Sequence, residues 1–180
     1  KKDTPRMVQW HPCIYGKFLW ENNKGEINMK KLPPVEKIYE AYSALSDNRV
    51  IMEENSAKVF SSDKSKEYTV TWNENIYSSN DNASYWQGYA GYPMIAVFML
   101  QKKLSFDNSV AEFFKNINWK ELNTKYKGKY SKAVDEIMEK LKNSGIDTDK
   151  IYKETENIFE ELKNLDIQCK RSSLRPPKSK

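Results

Sequence analysis

The spacing of apolar positions changes period several times along the chain. Val35, Ile38, Tyr39, Tyr42 and Leu45 recur at three- and four-residue intervals, the spacing of one helix face. Pro34 suits the first turn of that helix, and Ser46-Asp47-Asn48 stops it. Short apolar runs at Val50–Met52 and Ala57–Phe60 then flank polar residues. Tyr68, Val70 and Trp72 alternate with Thr69 and Thr71 before the turn Asn73-Glu74-Asn75 and the run Ile76–Ser79. Period-two alternation broken by turn residues predicts a three- or four-stranded antiparallel meander.

Beyond Tyr92-Pro93 the run Met94–Gln101 is apolar enough for a buried helix. Asp107 or Asn108 suits the cap of a short helix carrying Val110, Phe113, Phe114 and Ile117. The segment from Trp119 to Tyr126 fits neither period cleanly. Ser131 is the expected cap of a helix presenting Val134, Ile137, Met138 and Leu141, closed by Asn143-Ser144-Gly145. Asp147 or Thr148 opens the last helix, with Ile151, Ile158, Phe159, Leu162 and Leu165 inward, and the last two helices are expected to form a hairpin. The pattern predicts an α+β fold: a small antiparallel meander packed with helices, plus a C-terminal helical hairpin.

Four segments follow from this pattern. Residues 1–28 are an irregular N-terminal arm, 29–104 the α+β core, 105–166 a helical region and 167–180 a basic, disordered tail. At 180 residues the chain suits one ordinary domain. Its 13% aromatic content is high for a chain with 31% charged residues, and a largely disordered chain would carry far fewer aromatics. The net charge of +5 is matched by Lys170, Arg171, Arg175, Lys178 and Lys180 alone. The remainder is therefore close to neutral, and the tail carries the basic character. No apolar run approaches the roughly 20 residues of a membrane helix, and no signal peptide is evident. The two cysteines, Cys13 and Cys169, form no CxxC pair, which fits a cytoplasmic protein.

Familiar catalytic patterns are missing. His11 is the only histidine, which argues against a serine triad or a histidine-rich zinc site. His11 and Cys13, alternate residues on a strand, would share a face but lack a third ligand or orienting group. There is no Gly-rich phosphate loop. The expectation is a non-catalytic binding protein without metal or cofactor.

Three segments suit binding. The loop Asn80–Gly91 holds Tyr85, Trp86 and Tyr89 with Gly88 and Gly91. Such aromatics stack bases or clasp a peptide, or else close the sheet over the next helix, and apolar stripes more often mean core. Lys120, Lys125, Lys127, Lys129 and Lys132 interleave with Tyr126 and Tyr130. That suits a phosphate backbone with occasional stacking, while a solvated helix face and linker is the plainer alternative. The tail offers Arg171 and Arg175 to nucleic acid or an acidic partner, or folds back on Glu154, Glu156, Glu160 and Glu161 of the last helix.

The order strand, turn, strand, aromatic glycine-bearing loop and apolar helix over residues 57–100 resembles the SWIM zinc domain. That family's metal ligands are replaced here by Tyr77, Ser79, Tyr92 and Met94, which are not a structural zinc set. The resemblance implies binding of DNA or protein, with the metal replaced by packing of Tyr77, Tyr92 and Met94. The expected partner is thus DNA or RNA, contacted by Lys125, Lys127, Lys129, Arg171 and Arg175. The alternative is an accessory subunit that binds protein through Tyr85, Trp86, Tyr89 and the N-terminal arm.

Overall fold

The computed structural model describes residues 31–178. Its first element, α1 (Glu36–Ser46), follows Pro34, whose carbonyl accepts the Lys37 N–H at 3.0 Å. The strands β1 (Val50–Met52), β2 (Ser56–Phe60), β3 (Glu67–Asn73) and β4 (Ile76–Ser79) form the expected antiparallel meander. A π-helical turn at Ala83–Gln87 leads to α2 (Tyr92–Leu100). There follow α3 (Asn108–Ala111), a 3-10 turn at Glu112–Phe114, α4 (Trp119–Lys125), α5 (Tyr130–Asn143) and α6 (Thr148–Lys163). The chain is α+β.

One face of the meander is apolar because of its register. Ala57 and Val59, Tyr68 and Val70, and Tyr77 sit on the covered side. Thr71 and Ser78 pair on the other side, with hydroxyls 2.8 Å apart. The helix α2 covers this face and is buried almost all round, so its run Met94–Met99 needs no polar side. Packed on α2, α1 is in turn covered by α3, α5 and α6. Burial on several sides departs from the one-faced amphipathic helix that periodicity predicts. Several polar groups of α1 are partnered: the Lys37 ammonium bonds Glu40 at 2.8 Å, and the Ser46 hydroxyl donates to the Tyr42 carbonyl at 3.1 Å.

Two expectations are corrected. The tail is not disordered from residue 167: Ile167 is buried, and β5 (Gln168–Arg171) joins the sheet beside β4. This pairing is parallel, so everything from the end of β4 through α6 serves as its crossover connection. The cause lies in β4, whose outer edge would otherwise present unpaired backbone groups beside the core. Second, α5 starts at Tyr130, with Lys129 before it and no side-chain cap, rather than behind a Ser131 cap. The centre of the Tyr130 ring lies 3.8 Å from the Lys37 ammonium, a contact that ties the start of α5 to α1. The ambiguous segment after Asn118 is helical, with the Asn118 side chain accepting the Glu121 N–H. Asp107 and Asp147 cap α3 and α6 as the sequence predicts.

Candidate functional site

A cleft of about 670 Å³ opens where five segments meet: the start of α1, the β2–β3 turn, the loop after β4, α4 and the turn into α5. That volume is in the range of small-molecule sites, roughly 300–1,000 Å³. Tyr68, Trp86, Tyr89 and Tyr130 give it aromatic walls. Burial pushes the Tyr68 phenol up to about 12, with the nearby carboxylates Asp81 and Glu40 adding to it. The ring therefore presents a neutral hydroxyl at physiological pH.

The charged groups of the cleft are held by their neighbours. Lys37 and Glu40 form an ion pair whose side chains are only 7% and 6% exposed. Burial works against the Lys37 ammonium, but Glu40 outweighs it, and the pKa stands above the ordinary lysine value. Arg49 is held by three hydrogen bonds, donating to the Phe60 carbonyl at 2.7 Å, the Ser43 hydroxyl at 3.0 Å and Asp47 at 3.1 Å. Asp63 receives Lys120 at 2.5 Å. Burial opposes the charge of Asp63, but Lys120 and the hydroxyls of Ser61 and Ser65 hold the carboxyl well below the usual carboxylate range. Asp81 accepts the Ser79 hydroxyl at 2.6 Å and the N–H groups of Ala83 and Ser84. It thereby fixes the loop that carries Tyr85 and Trp86.

Two lining groups are left over. Trp119 is 5% exposed, and its indole N–H has no partner among the described residues. The Asn123 side-chain oxygen is likewise unpartnered, while its amide nitrogen donates to Glu40 at 3.5 Å. Among the cleft's cations, Lys66 and Lys127 form no ion pair among the described residues.

Residues predicted from three separate segments meet here. Trp86, 63% exposed, and Tyr89, 6% exposed, both line the cleft, as does Lys127. Parallel pairing sets Arg171 opposite Ser79, beside the aromatic loop. Its guanidinium lies 4.2 Å from the Tyr85 ring centre and 5.3 Å from that of Trp86. Tyr85 and Trp86 meet edge to face at 4.6 Å. The aromatic loop thus does not simply close the core: Tyr89 is buried, whereas Trp86 faces solvent.

The remaining predicted residues divide. Lys129 is exposed and without an ion pair among the described residues. Lys125 bonds Glu136 at 2.7 Å and is not the open cation that its spacing suggests. Arg175 is exposed, and its carbonyl accepts the Asn80 side chain at 3.4 Å. His11, Cys13 and the N-terminal arm lie outside the described residues. Periodicity does not single out Lys37, Glu40, Trp119 or Asn123; for the first two the available signal is a Lys/Glu pair at three-residue spacing inside an apolar helix.

The expected order of strand, turn, strand, aromatic loop and apolar helix is present as β3, β4, the aromatic loop and α2. Tyr77 and Met94 are buried there, and Tyr92 is half-buried against them in the core. Among the described residues no group of three or more His, Cys, Asp or Glu side chains is placed to hold a metal ion. Likewise, no helix among them is long and apolar enough to cross a membrane.

Comparison with known proteins identifies a family. A family model, that of the uncharacterised conserved protein UCP014422, matches residues 30–168, and the chain belongs to that family. No curated protein and no solved structure matches.

Proposed function

We propose that the protein is a non-catalytic binder of single-stranded nucleic acid. The observation that carries this reading is the convergence of Lys127, Trp86 and Tyr89 on one cleft, with Arg171 stacked on Tyr85 and Trp86 beside it. Stacking platforms interleaved with cations are what a single strand requires: bases lie on rings and phosphates on ammonium or guanidinium groups. An exposed tryptophan suits this better than a duplex phosphate surface, where bases are not offered to rings. Arg171, 4.2 Å from the Tyr85 ring centre, forms no ion pair among the described residues and can offer its donors to a phosphate. Lys127, Lys129, Arg171 and Arg175 are the phosphate partners. The SWIM-like outline agrees with a binding role for DNA or protein.

The test is fluorescence anisotropy of labelled single-stranded DNA and RNA against a salt series. Four phosphate contacts predict a slope of roughly −3 in log affinity against log salt, a loss of about fiftyfold between 50 and 200 mM. Replacing Trp86 with Ala weakens binding by about 1–3 kcal/mol, the worth of one base–aromatic stack. Binding to neither polymer at low salt overturns the reading. A partner protein held by Trp86 with little salt dependence would instead favour the accessory-subunit alternative, for which the exposed indole is the supporting observation.

A further inference from the structure

The cleft holds hydrogen-bond donors that its own residues do not consume. Of its tyrosines, Tyr92 gives its hydroxyl to the Phe60 carbonyl at 3.2 Å. The hydroxyls of Tyr68 and Tyr89 have no acceptor among the described residues, although the two residues are only 9% and 6% exposed. The Trp119 N–H and the Asn123 oxygen are sealed from solvent and take no part; the Tyr68 and Tyr89 hydroxyls are not among these sealed groups. Tyrosines as buried as these usually give their hydroxyl a partner. Burial holds both phenols above the ordinary tyrosine value, so both keep their protons at neutral pH and serve as donors.

The charge pattern selects the ligand. Lys37 pairs with Glu40, Lys120 with Asp63 and Arg49 with Asp47, and each pair cancels. Asp81 spends its oxygens on the Ser79 hydroxyl and the N–H groups of Ala83 and Ser84. Lys66 and Lys127 line the cleft without an ion pair among the described residues, so the balance is positive. Spare donors beside spare positive charge call for an anion with several acceptor oxygens. These groups come from four separate segments: Lys66 before β3, Tyr68 on it, Tyr89 after the π-helical turn and Lys127 after α4. A phosphate accepts from several directions at once, whereas a carboxylate has two oxygens in one plane. As a monoester it carries about −1.5 to −2 charges at pH 7, against one on a phosphate inside a strand. The phenols are nearly buried, and the end of a chain reaches such groups more readily than its middle.

We infer that the cleft takes the terminal phosphate of the bound strand, with Tyr68 and Tyr89 donating to its oxygens and Lys66 and Lys127 matching its charge. This inference rests on the nucleic-acid reading above and deepens it: the protein holds a strand by its phosphorylated end. The adjoining nucleotides then run over Trp86 and Arg171 beside the cleft.

The experiment uses the full chain and one single-stranded oligonucleotide, labelled internally, in DNA and RNA versions. Each is titrated in three forms: 5′-phosphate, 3′-phosphate, and hydroxyl at both ends. One phosphorylated form binds about tenfold or more tightly than the hydroxyl form, the gain from added hydrogen bonds to a charged group. The end that gives the gain is the end that enters the cleft. Tyr68→Phe removes one donor and keeps the ring, and Lys66→Gln removes one charge. Each lowers the ratio of the two affinities by about fivefold or more, the worth of one bond to a charged group. The ratio is the readout because a general loss of binding moves both forms alike. Thermal melting identifies any variant that has lost its fold, and the half-buried Lys66 keeps the test usable if the buried Tyr68 does not tolerate change. Equal binding of all three forms overturns the inference and leaves the nucleic-acid reading standing. A phosphate gain that persists in folded Tyr68→Phe and Lys66→Gln overturns the placement in this cleft. No binding of any form overturns the nucleic-acid reading and this inference with it.

Discussion

A Cβ built on Gly91 would stand 2.1 Å from the Asp81 carboxylate oxygen that holds the aromatic loop. The backbone of Gly91 is ordinary, at φ −69°, so the constraint is closeness rather than conformation. Gly91→Ala is expected to destabilise the fold by about 1–3 kcal/mol, the usual cost of forcing an atom into filled space, and to loosen the Tyr85–Trp86 pair. Urea denaturation and the nucleic-acid affinity of the variant check both effects. Gly88 differs: its φ of +73° closes the π-helical turn, and there the missing side chain serves conformation. Sequence alone marks both glycines as turn residues and cannot separate these two reasons, because the approach of Asp81 to Gly91 is tertiary. Cys169 is another residue read only in its context. Burial, with the Asp81 charge behind it, pushes its thiol up to about 12. Peptide mapping after iodoacetamide treatment at pH 8 should show Cys169 unmodified in the folded chain and modified in urea, since the thiolate is the reactive form. Rapid labelling of the folded chain would contradict that burial.

At the scale of elements, two polar clusters stand out, one joining α4 to α5 and one within α1. Glu136 on α5 receives Lys125 at 2.7 Å and the Tyr126 hydroxyl at 2.6 Å, with Lys140 at 2.7 Å from its own helix. The Lys125 hydrogen bond, then those of Lys140 and Tyr126, bring the Glu136 carboxyl down to about 2. A carboxylate depressed in the folded state stabilises fully above its unfolded value of about 4.5, and the contribution is lost as pH falls toward 2. Glu136→Gln should therefore be less stable than the parent at pH 7, with the difference closing between pH 4.5 and 2 in denaturation curves. The second cluster is the Lys37–Glu40 pair. Glu40→Leu strands a buried ammonium and should cost roughly 3–5 kcal/mol, whereas Lys37→Met with Glu40→Leu should recover much of it. Chemical denaturation of the two variants side by side decides this.

The element scale also shows where pattern suffices. The meander, α1 and the caps Asp107 and Asp147 are legible because alternation, helical spacing and capping chemistry are local. The strand β5 is not, because Gln168-Cys169-Lys170-Arg171 offers little apolar alternation and its partner β4 precedes all of α2 to α6. Lys37 and Glu40 fall between the apolar positions of α1, which predicts an exposed face. Only the packing of later helices reveals that the face is buried.

For the whole molecule, the parallel β4–β5 pairing returns the C-terminal segment to the sheet and brings Arg171 to the aromatic loop. A chain ending at Asp166 therefore loses more than charge. It loses Ile167 from the core, a side chain whose burial contributes roughly 1.5–3 kcal/mol, and exposes the edge of β4. Thermal melting should find this truncation less stable, so Arg171→Ala and Arg175→Ala are the cleaner probes of the basic segment. The candidate site was legible in part for the same topological reason. Trp86, Tyr89, Lys127 and Arg171 carry the signal of aromatics near cations, while their convergence depends on the five segments that enclose the cleft. The most direct measurement of the account is photo-crosslinking of a single strand containing 4-thiouridine to the full chain, with the adducts mapped by mass spectrometry. The account predicts adducts on the peptide carrying Tyr85, Trp86 and Tyr89, and none at Tyr152, which is 39% exposed on α6 away from the cleft lining. Adducts spread equally over exposed aromatics including Tyr152, or none on the loop, would contradict it.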